Sequence, residues 1–145
     1  MLILTLSLSL CGCNKTYNWE FRKPSSEVKQ ISIIYFENQI DNERDIINIP
    51  PISKIDKSYA DTLYEEITNL CMKERFLSME LAFPYGYCFL IDYGNDDYCI
   101  LSVEGSGYIY YDEKYEVLVS ESKDFIFNEE EFMDLINKYL NNKDS

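Results

Sequence analysis

The sequence contains no histidine, and basic residues are scarce. Lys and Arg number 13 against 26 Asp and Glu in 145 residues, which gives a formal net charge of −13. Without histidine the chain lacks the commonest general base and transition-metal ligand, and Ser-His-Asp or Cys-His nucleophilic systems cannot be built. An acidic surface repels phosphate backbones. We therefore expect a protein without catalytic residues, metal or cofactor that does not bind nucleic acid.

The sequence also lacks an apolar run long enough to cross a membrane. Residues 2–10 are apolar with small hydroxyl side chains, but about 9–12 residues cannot span a hydrocarbon core of about 30 Å as a helix. The run fits the apolar region of a secretory signal peptide. The basic segment that usually precedes such a region is missing, because Leu2 follows Met1 directly. We expect residues 1–12 to be a signal peptide.

The expected signal peptide ends in a motif that indicates acylation of a cysteine. Leu10-Cys11-Gly12-Cys13 resembles the lipobox of bacterial lipoproteins, in which Leu stands three positions and Gly one position before a cysteine that is acylated. Cys13 fits this pattern, and Cys11 does not because Leu10 is too bulky for the position before the cut. The motif predicts lipidation at Cys13 and an anchor on the outer face of the cell membrane. The alternative is a buried first strand with two free thiols.

A short tether should follow the anchor. We expect residues 13–25 to form the lipidated cysteine and tether, 26–141 a single domain, and 142–145 a frayed tail. Trp19 and Phe21 could rest at the membrane interface or pack on the domain, and packing on the domain is the expectation.

The centre of the domain should be a β-meander. Clusters of Gly, Asn and Asp separate runs rich in Tyr, Ile, Val and Phe, which is typical of antiparallel hairpins. The predicted strands cover residues 85–93, 97–103, 107–111 and 114–120.

The remaining elements complete an α+β pattern. Further strands are predicted at 28–37, 44–49 and 76–83, and helices at 56–72 and 128–140. Asp56 or Ser58 can cap the first helix, with Ser58 and Asp61 as a loose capping box. Asn128 and Glu131 form a capping box for the second, and Phe127 and Phe132 a hydrophobic staple. The order strand-strand-helix-strand meander-helix predicts an antiparallel sheet with two helices packed on one face, and the other face could be partly open.

One turn carries a candidate cation site. Asp92, Asn95, Asp96 and Asp97 place four oxygen-bearing side chains within six residues, which suggests weak calcium binding. The spacing is not that of an EF-hand loop. The alternative is that these residues simply form the hairpin turn, which favours Asn and Asp.

Three cysteines follow Cys13. A two-residue turn at Gly94-Asn95 would put Cys88 and Cys99 in diagonal positions on one face, with Cα atoms about 7–8 Å apart. That exceeds the usual reach of an unstrained disulfide, although an exported protein could oxidise the pair after a small register change. We expect Cys71, Cys88 and Cys99 to be buried small hydrophobic residues.

Several motifs together resemble a family. The lipobox cysteine is followed by Trp19-Glu20-Phe21, by an aliphatic strand after Pro24, by a helix, and by strands with a Tyr-Gly-Asn turn. This pattern resembles small uncharacterised lipoproteins of Gram-positive, clostridia-like bacteria. Such proteins usually carry Gly or Asp-Gly in the central hairpin and an acidic-aromatic start to the last helix, to which Gly94-Asn95 and Glu131-Phe132 correspond. The resemblance implies a location and a fold, and no reaction.

The sequence therefore predicts a membrane-anchored extracytoplasmic lipoprotein. Its task would be that of a non-enzymatic binding or accessory module for a protein or small ligand. One alternative is a small hydrolase that uses Asp92, Asp97 or Glu104 as acid and base. Another is an acidic regulatory partner of a basic envelope protein, held by salt-sensitive attraction.

Overall fold

The structure is a computed structural model that describes residues 17–37, 43–74, 86–103, 105–123 and 125–142. Cys13, the expected signal peptide and the strand predicted at 76–83 lie outside the described residues. Within these ranges the strands are β1 (Gln30–Phe36), β2 (Ser53–Ile55), β3 (Met72–Glu74), β4 (Gly86–Gly94), β5 (Asp97–Leu101), β6 (Gly107–Asp112), β7 (Val117–Ser122) and β8 (Phe125–Phe127). The helices are α1 (Glu43–Ile47), α2 (Ala60–Thr68) and α3 (Glu129–Asn141).

The predicted α+β class is confirmed. A six-stranded antiparallel sheet has the strand order β2-β1-β4-β5-β6-β7, and β3 and β8 form a separate two-stranded sheet. β1 lies between β2 and β4, so it is an interior strand of the sheet. The turns after β4 and β6 lie at the same end of the sheet, because Tyr98 pairs with Ile109 and Ile100 with Gly107. We call this the hairpin end.

The main core lies between one face of the large sheet and two helices, as expected. α2 and α3 bury the stripe that a 3.6-residue period predicts, and β1 and β4 contribute every second side chain to this core. The members at or near zero exposure include Leu63, Ile67, Phe132, Ile136, Ile31, Ile33, Phe89 and Ile91. Each such aliphatic or aromatic side chain contributes about 1.5–3 kcal/mol by its removal from water.

The opposite face of the sheet, which could have been partly open, is covered at its centre. Cys88, Leu90, Ile100 and Ile109 are each at most 7% exposed there. They form a second cluster with Ile46 of α1. Helices therefore lie on both faces of the sheet, and no binding surface can be assigned to this part of the second face.

The strand predicted at 44–49 is wrong, because this stretch contains α1. Asn48 donates its backbone N–H to the carbonyl of Arg44 at 3.3 Å, as in a helical turn. A helix directs Ile46, Ile47 and Ile49 toward the second cluster, whereas a strand would alternate them between two faces. The partner of β1 is β2, which begins after Pro50 and Pro51.

The first long helix is shorter than the predicted 56–72. Asp56 caps a 3₁₀ turn by accepting the N–H of Ser58 at 2.8 Å, and α2 begins only at Ala60. The N-cap of α2 is Tyr59, which makes no side-chain cap hydrogen bond, so the capping box predicted for Ser58 and Asp61 is not formed. Asp61 accepts a hydrogen bond from the Ser25 hydroxyl instead. Met72 pairs with Phe127 in the small sheet, and that tertiary pairing ends the helical run.

The N-terminus of α3 has the predicted N-cap and hydrophobic staple, but the Glu131 carboxylate has a different partner from the one predicted. Asn128 Oδ1 accepts the N–H of Glu131 at 3.0 Å, and the rings of Phe127 and Phe132 lie 5.2 Å apart, so the N-cap and the staple are confirmed. The Asn128 N–H, however, donates to the carbonyl of Cys71 at 2.9 Å. Glu131 Oε2 accepts the Cys71 N–H at 2.9 Å. The start of α3 is therefore fastened to the strand that follows α2.

The register of the β4–β5 hairpin differs from the prediction by one residue. Phe89 pairs with Leu101 and Ile91 with Cys99, and the register shifts between Asp92 and Gly94. A shift of one residue moves a side chain to the other face. Cys99 therefore belongs to the main core and Cys88 to the second cluster, and a disulfide between them is impossible in this register. All three cysteines are free, and the burial predicted for Cys71 is wrong because its side chain is exposed.

The last strand of the meander begins at Val117 instead of Lys114. Asp112 Oδ1 accepts the N–H of Lys114 at 2.9 Å, which holds a longer turn. Glu116 has a φ of 54° and closes that turn in the left-handed region.

Two buried serines give a matched test of the fold. Ser106 Oγ accepts the Ser102 N–H at 3.0 Å and donates to the Ser102 carbonyl at 2.8 Å. Ser53 is 3% exposed, and its hydroxyl has no hydrogen-bond partner. Because Ser106→Ala leaves buried backbone groups unpaired, we expect it to lower the free energy of unfolding by about 1–3 kcal/mol. Ser53→Ala should change it by less than about 0.5 kcal/mol. Urea unfolding of both variants provides the check, and equal losses would contradict the hydrogen-bond assignment.

Candidate functional site

Residues 17–23, which we call the N-terminal segment, are part of the fold. Tyr17 and Met72 exchange two backbone hydrogen bonds, each 3.1 Å long. Trp19 is only 3% exposed, which confirms that it packs on the domain. The packed part of the chain therefore extends before the predicted boundary at residue 26 and includes Tyr17.

Aromatic contacts hold this segment on the sheet. The ring centroid of Trp19 lies 5.6 Å from that of Tyr108 and 6.2 Å from that of Phe127. Phe21 stacks on Tyr64 of α2 at 3.7 Å with an interplanar angle of 5°. The Tyr108 hydroxyl donates to the Glu20 carbonyl at 2.9 Å. The segment is thus fixed by buried rings as well as by backbone pairing.

Arg22 follows these rings and lies over the sheet. Its guanidinium carbon is 4.0 Å from the centroid of the Tyr108 ring, which is a cation–π contact. Its Nη2 forms an ion pair with Glu121 of β7. The hydrogen bond with Glu121 raises the pKa of Arg22, and the same bond lowers the pKa of Glu121. Both side chains are about two-fifths exposed, so the pair adds little stability and mainly fixes the orientation of Arg22.

Lys23 is the second cation of the segment and is also paired. Its Nζ lies 2.6 Å from Asp97 Oδ2 and 3.8 Å from Glu27 Oε2. It also lies 5.5 Å from the centroid of the Tyr93 ring. The hydrogen bond to Asp97 raises the pKa of Lys23. The two cations of the segment are therefore each matched by a carboxylate of the sheet.

Two adjoining pockets lie beside the segment, and we call them together the tyrosine groove. The upper pocket, toward the hairpin end, has a volume of about 240 Å³ and is lined by Arg22, Lys23, Tyr93, Asn95, Asp97, Tyr108, Tyr110 and Tyr111. The lower pocket has a volume of about 460 Å³ and is lined by Tyr17, Asn18, Trp19, Glu20, Phe21, Arg22, Met72, Tyr108, Lys123 and Phe125. Both share Arg22 and Tyr108, so this stacked pair separates them.

A pair of tyrosine hydroxyls adjoins the upper pocket, which Tyr93 lines. Tyr93 is 5% exposed, and its hydroxyl oxygen lies 2.5 Å from that of Tyr64. Burial raises the pKa of Tyr64 to about 12. Burial likewise raises the pKa values of Tyr93 and Tyr108. These hydroxyls stay neutral at physiological pH and serve as hydrogen-bond groups, not as bases.

The residues of the predicted cation site have other roles in the described structure. Asp92 Oδ1 accepts the Gly94 N–H at 2.7 Å, and Asp97 pairs with Lys23. Asn95 and Asp96 have φ values of 54° and 57° and form the turn itself. Among the described residues, no group of three or more His, Cys, Asp or Glu side chains could hold a metal ion. Their turn-forming role agrees with the alternative interpretation.

The carboxylates proposed for a hydrolase are not brought together in the tyrosine groove. Asp97 lines the upper pocket and Asp92 does not. Glu104 lies outside the described residues. Burial raises the pKa of the Cys88 and Cys99 thiols, so neither is a ready nucleophile. The groove has the groups to hold a ligand, and the named acid–base pair is not assembled in it.

Sequence reasoning missed the groove. It considered the N-terminal residues as a tether, and it weighed the Tyr residues of the meander only as packing. A signal was nevertheless present, because Arg22 and Lys23 are adjacent cations in a chain with only 13 basic residues. Such a pair next to Trp19 and Phe21 could have indicated a paired, packed segment.

Comparison with known proteins does not assign the chain to a family. No family model matches the chain, and no curated protein or solved structure resembles it significantly. The resemblance to small bacterial lipoproteins therefore stays a prediction. Across the ranges that the structure covers, no helix is long and apolar enough to cross a membrane.

Truncation of Trp19 tests whether the segment belongs to the fold. Because Trp19 is 3% exposed, we expect Trp19→Ala to lower the free energy of unfolding by about 3–5 kcal/mol. The control is Tyr115→Ala, since Tyr115 is 64% exposed, and it should cost less than about 0.5 kcal/mol. Chemical unfolding followed by circular dichroism measures both. An unchanged stability for Trp19→Ala would mean that the segment is a free tether.

The tyrosine pKa values predict a loss of stability at high pH. A tyrosine hydroxyl whose pKa is raised in the folded state does not change the free energy of unfolding below the unfolded pKa of about 10. Above that pH the unfolded chain loses the proton more readily than the folded chain, so the free energy of unfolding falls as the pH rises toward the folded pKa. For Tyr64 that value is about 12, so the free energy of unfolding should fall between pH 10 and about 12.

Absorbance of tyrosinate at alkaline pH provides the measurement. The chain has 13 tyrosines, and this absorbance reports how many of them have ionised at each pH. Tyr64, Tyr93 and Tyr108 should ionise only together with unfolding, which far-UV circular dichroism reports. Reversible ionisation of all tyrosines near pH 10, with the fold intact, would contradict the buried hydroxyl pair.

Proposed function

We propose that this chain is a lipid-anchored, extracytoplasmic binding module without enzymatic activity. The tyrosine groove is the observation that carries this proposal, because its polar groups suit ligand binding. Its two cations are paired with Glu121 and Asp97. Ligand sites combine apolar and aromatic walls with a few placed polar groups, and the groove has this composition.

The anchor rests on the sequence. Leu10-Cys11-Gly12-Cys13 follows the apolar run 2–10, and acylation of Cys13 would attach the module to a membrane. Each buried methylene of an acyl chain contributes about 0.8 kcal/mol, so a multiply acylated cysteine is a firm anchor. The −13 charge of the chain would disfavour adhesion to anionic lipid without such an anchor.

The groove would be oriented by this anchor. Cys13 precedes Tyr17 by four residues, and four extended residues reach at most about 14 Å. Tyr17 lines the lower pocket, whereas the upper pocket lies toward the hairpin end. Acylation at Cys13 would therefore keep the lower pocket near the membrane and direct the upper pocket away from it.

Two matched cysteine variants test the anchor. In membranes of a bacterial host that processes lipoproteins, we expect intact mass to show a chain that begins at Cys13 and carries acyl groups. Cys13→Ser should lose both the acyl groups and the membrane fraction. Cys11→Ser should retain both, because Cys11 lies on the leader side of the expected cut. Membrane fractionation of Cys13→Ser without acylation, or a full-length unmodified wild-type chain, would contradict the proposal.

A further inference from the structure

We propose that the tyrosine groove binds a linear, uncharged oligosaccharide, with sugar rings in both pockets. This inference rests on the proposed binding function and names its ligand class. It follows from the charge balance, the free hydrogen-bonding groups, the ring surfaces and the length of the groove.

The charge balance of the groove favours a neutral ligand. Arg22 pairs with Glu121, and Lys23 pairs with Asp97 at 2.6 Å. A phosphate or carboxylate ligand would have to approach two carboxylates in a chain of net charge −13. A cationic ligand would be repelled by Arg22 and Lys23. An uncharged ligand is repelled neither by the carboxylates nor by the two cations.

The hydrogen-bonding groups of the groove fit hydroxyl ligands. A guanidinium has five N–H donors and an ammonium three, so Arg22 and Lys23 keep donors beyond their ion pairs. Asp97 binds Lys23 through Oδ2, and Oδ1 remains an acceptor. Asn95 is exposed at the rim and can both donate and accept. A hydroxyl also donates and accepts, and vicinal hydroxyls of a sugar can bridge such neighbouring donors and acceptors.

Aromatic surfaces in each pocket fit the C–H faces of sugar rings. Tyr110 is half-buried and lines the upper pocket. Tyr17 and Phe125 line the lower pocket, and their ring centroids lie 4.5 Å apart. The face of an aromatic ring is electron-rich and attracts the polarised C–H groups of a pyranose. Each pocket therefore offers a ring surface beside polar groups.

The length of the groove indicates more than one sugar unit. β6 runs along both pockets. Just before its start, the carbonyl of Ser106 accepts the N–H of Lys123, which lines the lower pocket. At its other end, Tyr110 and Tyr111 line the upper pocket. Strands advance about 3.4 Å per residue, so the three steps from Tyr108 to Tyr111, which both line the upper pocket, measure about 10 Å. This distance exceeds one pyranose ring. The lower pocket, which Tyr108 also lines, extends the groove further. Arg22 and Tyr108, shared by both pockets, would lie beside the linkage between two rings.

Titration of the full chain with defined trisaccharides tests this inference. The chain is held in a detergent that contains neither sugar nor phosphate, and amide NMR spectra are recorded with three uncharged sugars, namely N-acetylated chitotriose, cellotriose and maltotriose. We expect at least one to shift the amide signals of Arg22, Asn95 and Tyr110 in a saturable way. Raising the salt concentration from about 50 to about 500 mM should change this affinity less than about twofold, because the groove is charge-balanced.

Matched tyrosine variants locate the site. We expect Tyr110→Ala to weaken binding of that trisaccharide about tenfold, and Tyr110→Phe, which keeps the ring, to weaken it less. Tyr115→Ala should leave the affinity unchanged, since Tyr115 is 64% exposed in the turn after β6. A spectrum that keeps the dispersion of the wild type shows that each variant is folded.

Other outcomes would overturn the inference. Absence of saturable shifts with all three trisaccharides would do so, as would saturable binding of inorganic phosphate or spermidine at the same residues in their place. Equal affinity for Tyr110→Ala and the wild type would remove the groove as the site. The anchor is measured separately through Cys13, so acylated protein without sugar binding refutes only this inference. Sugar binding by a chain that is never acylated would refute only the anchor.

Discussion

The burial of Trp19 against Tyr108 and Phe127 is the contact on which the groove depends. The indole is 3% exposed and fixes the N-terminal segment across the helix-side face of the sheet. With that ring in place, Arg22 lies over Tyr108, and Lys23 reaches Asp97. Because each ion pair is partly exposed and weak by itself, the buried ring supplies the stability and the charges supply the orientation. The segment thus adds a wall to a sheet that would otherwise have no groove there.

Elements with strong local signals were predictable from the sequence. α3 begins after its Asn128 cap, and β4 and β5 are joined by a two-residue turn that lies at Asn95-Asp96, one residue later than the predicted Gly94-Asn95. α1 was not predictable, because its helical form is decided by the second cluster around Ile46 instead of by local propensity. The faces of Cys88 and Cys99 were assigned wrongly because one irregular residue between Asp92 and Gly94 shifts the register.

The candidate site was harder to predict than the fold, for a reason of chain distance. Glu20 and Tyr108, which meet at the segment, stand 88 residues apart, and no periodicity links positions so distant. The Asx-rich turn was visible as a local cluster, and its side chains serve the turn and the Lys23 ion pair. Composition did indicate that binding is a better proposal than histidine-dependent catalysis. It gave no indication that the scarce cations would line a groove beside carboxylates.

Hydrogen exchange at the backbone amides of Tyr17 and Met72 tests the central claim most directly. The claim is that the N-terminal segment is a packed wall of the domain. Both amides donate across the pair at 3.1 Å, so they should exchange about as slowly as amides of β1, which exchange only when the fold opens. Exchange at the rate of an unstructured peptide at Tyr17, with β1 still protected, would show a free tether and would leave the groove without its wall.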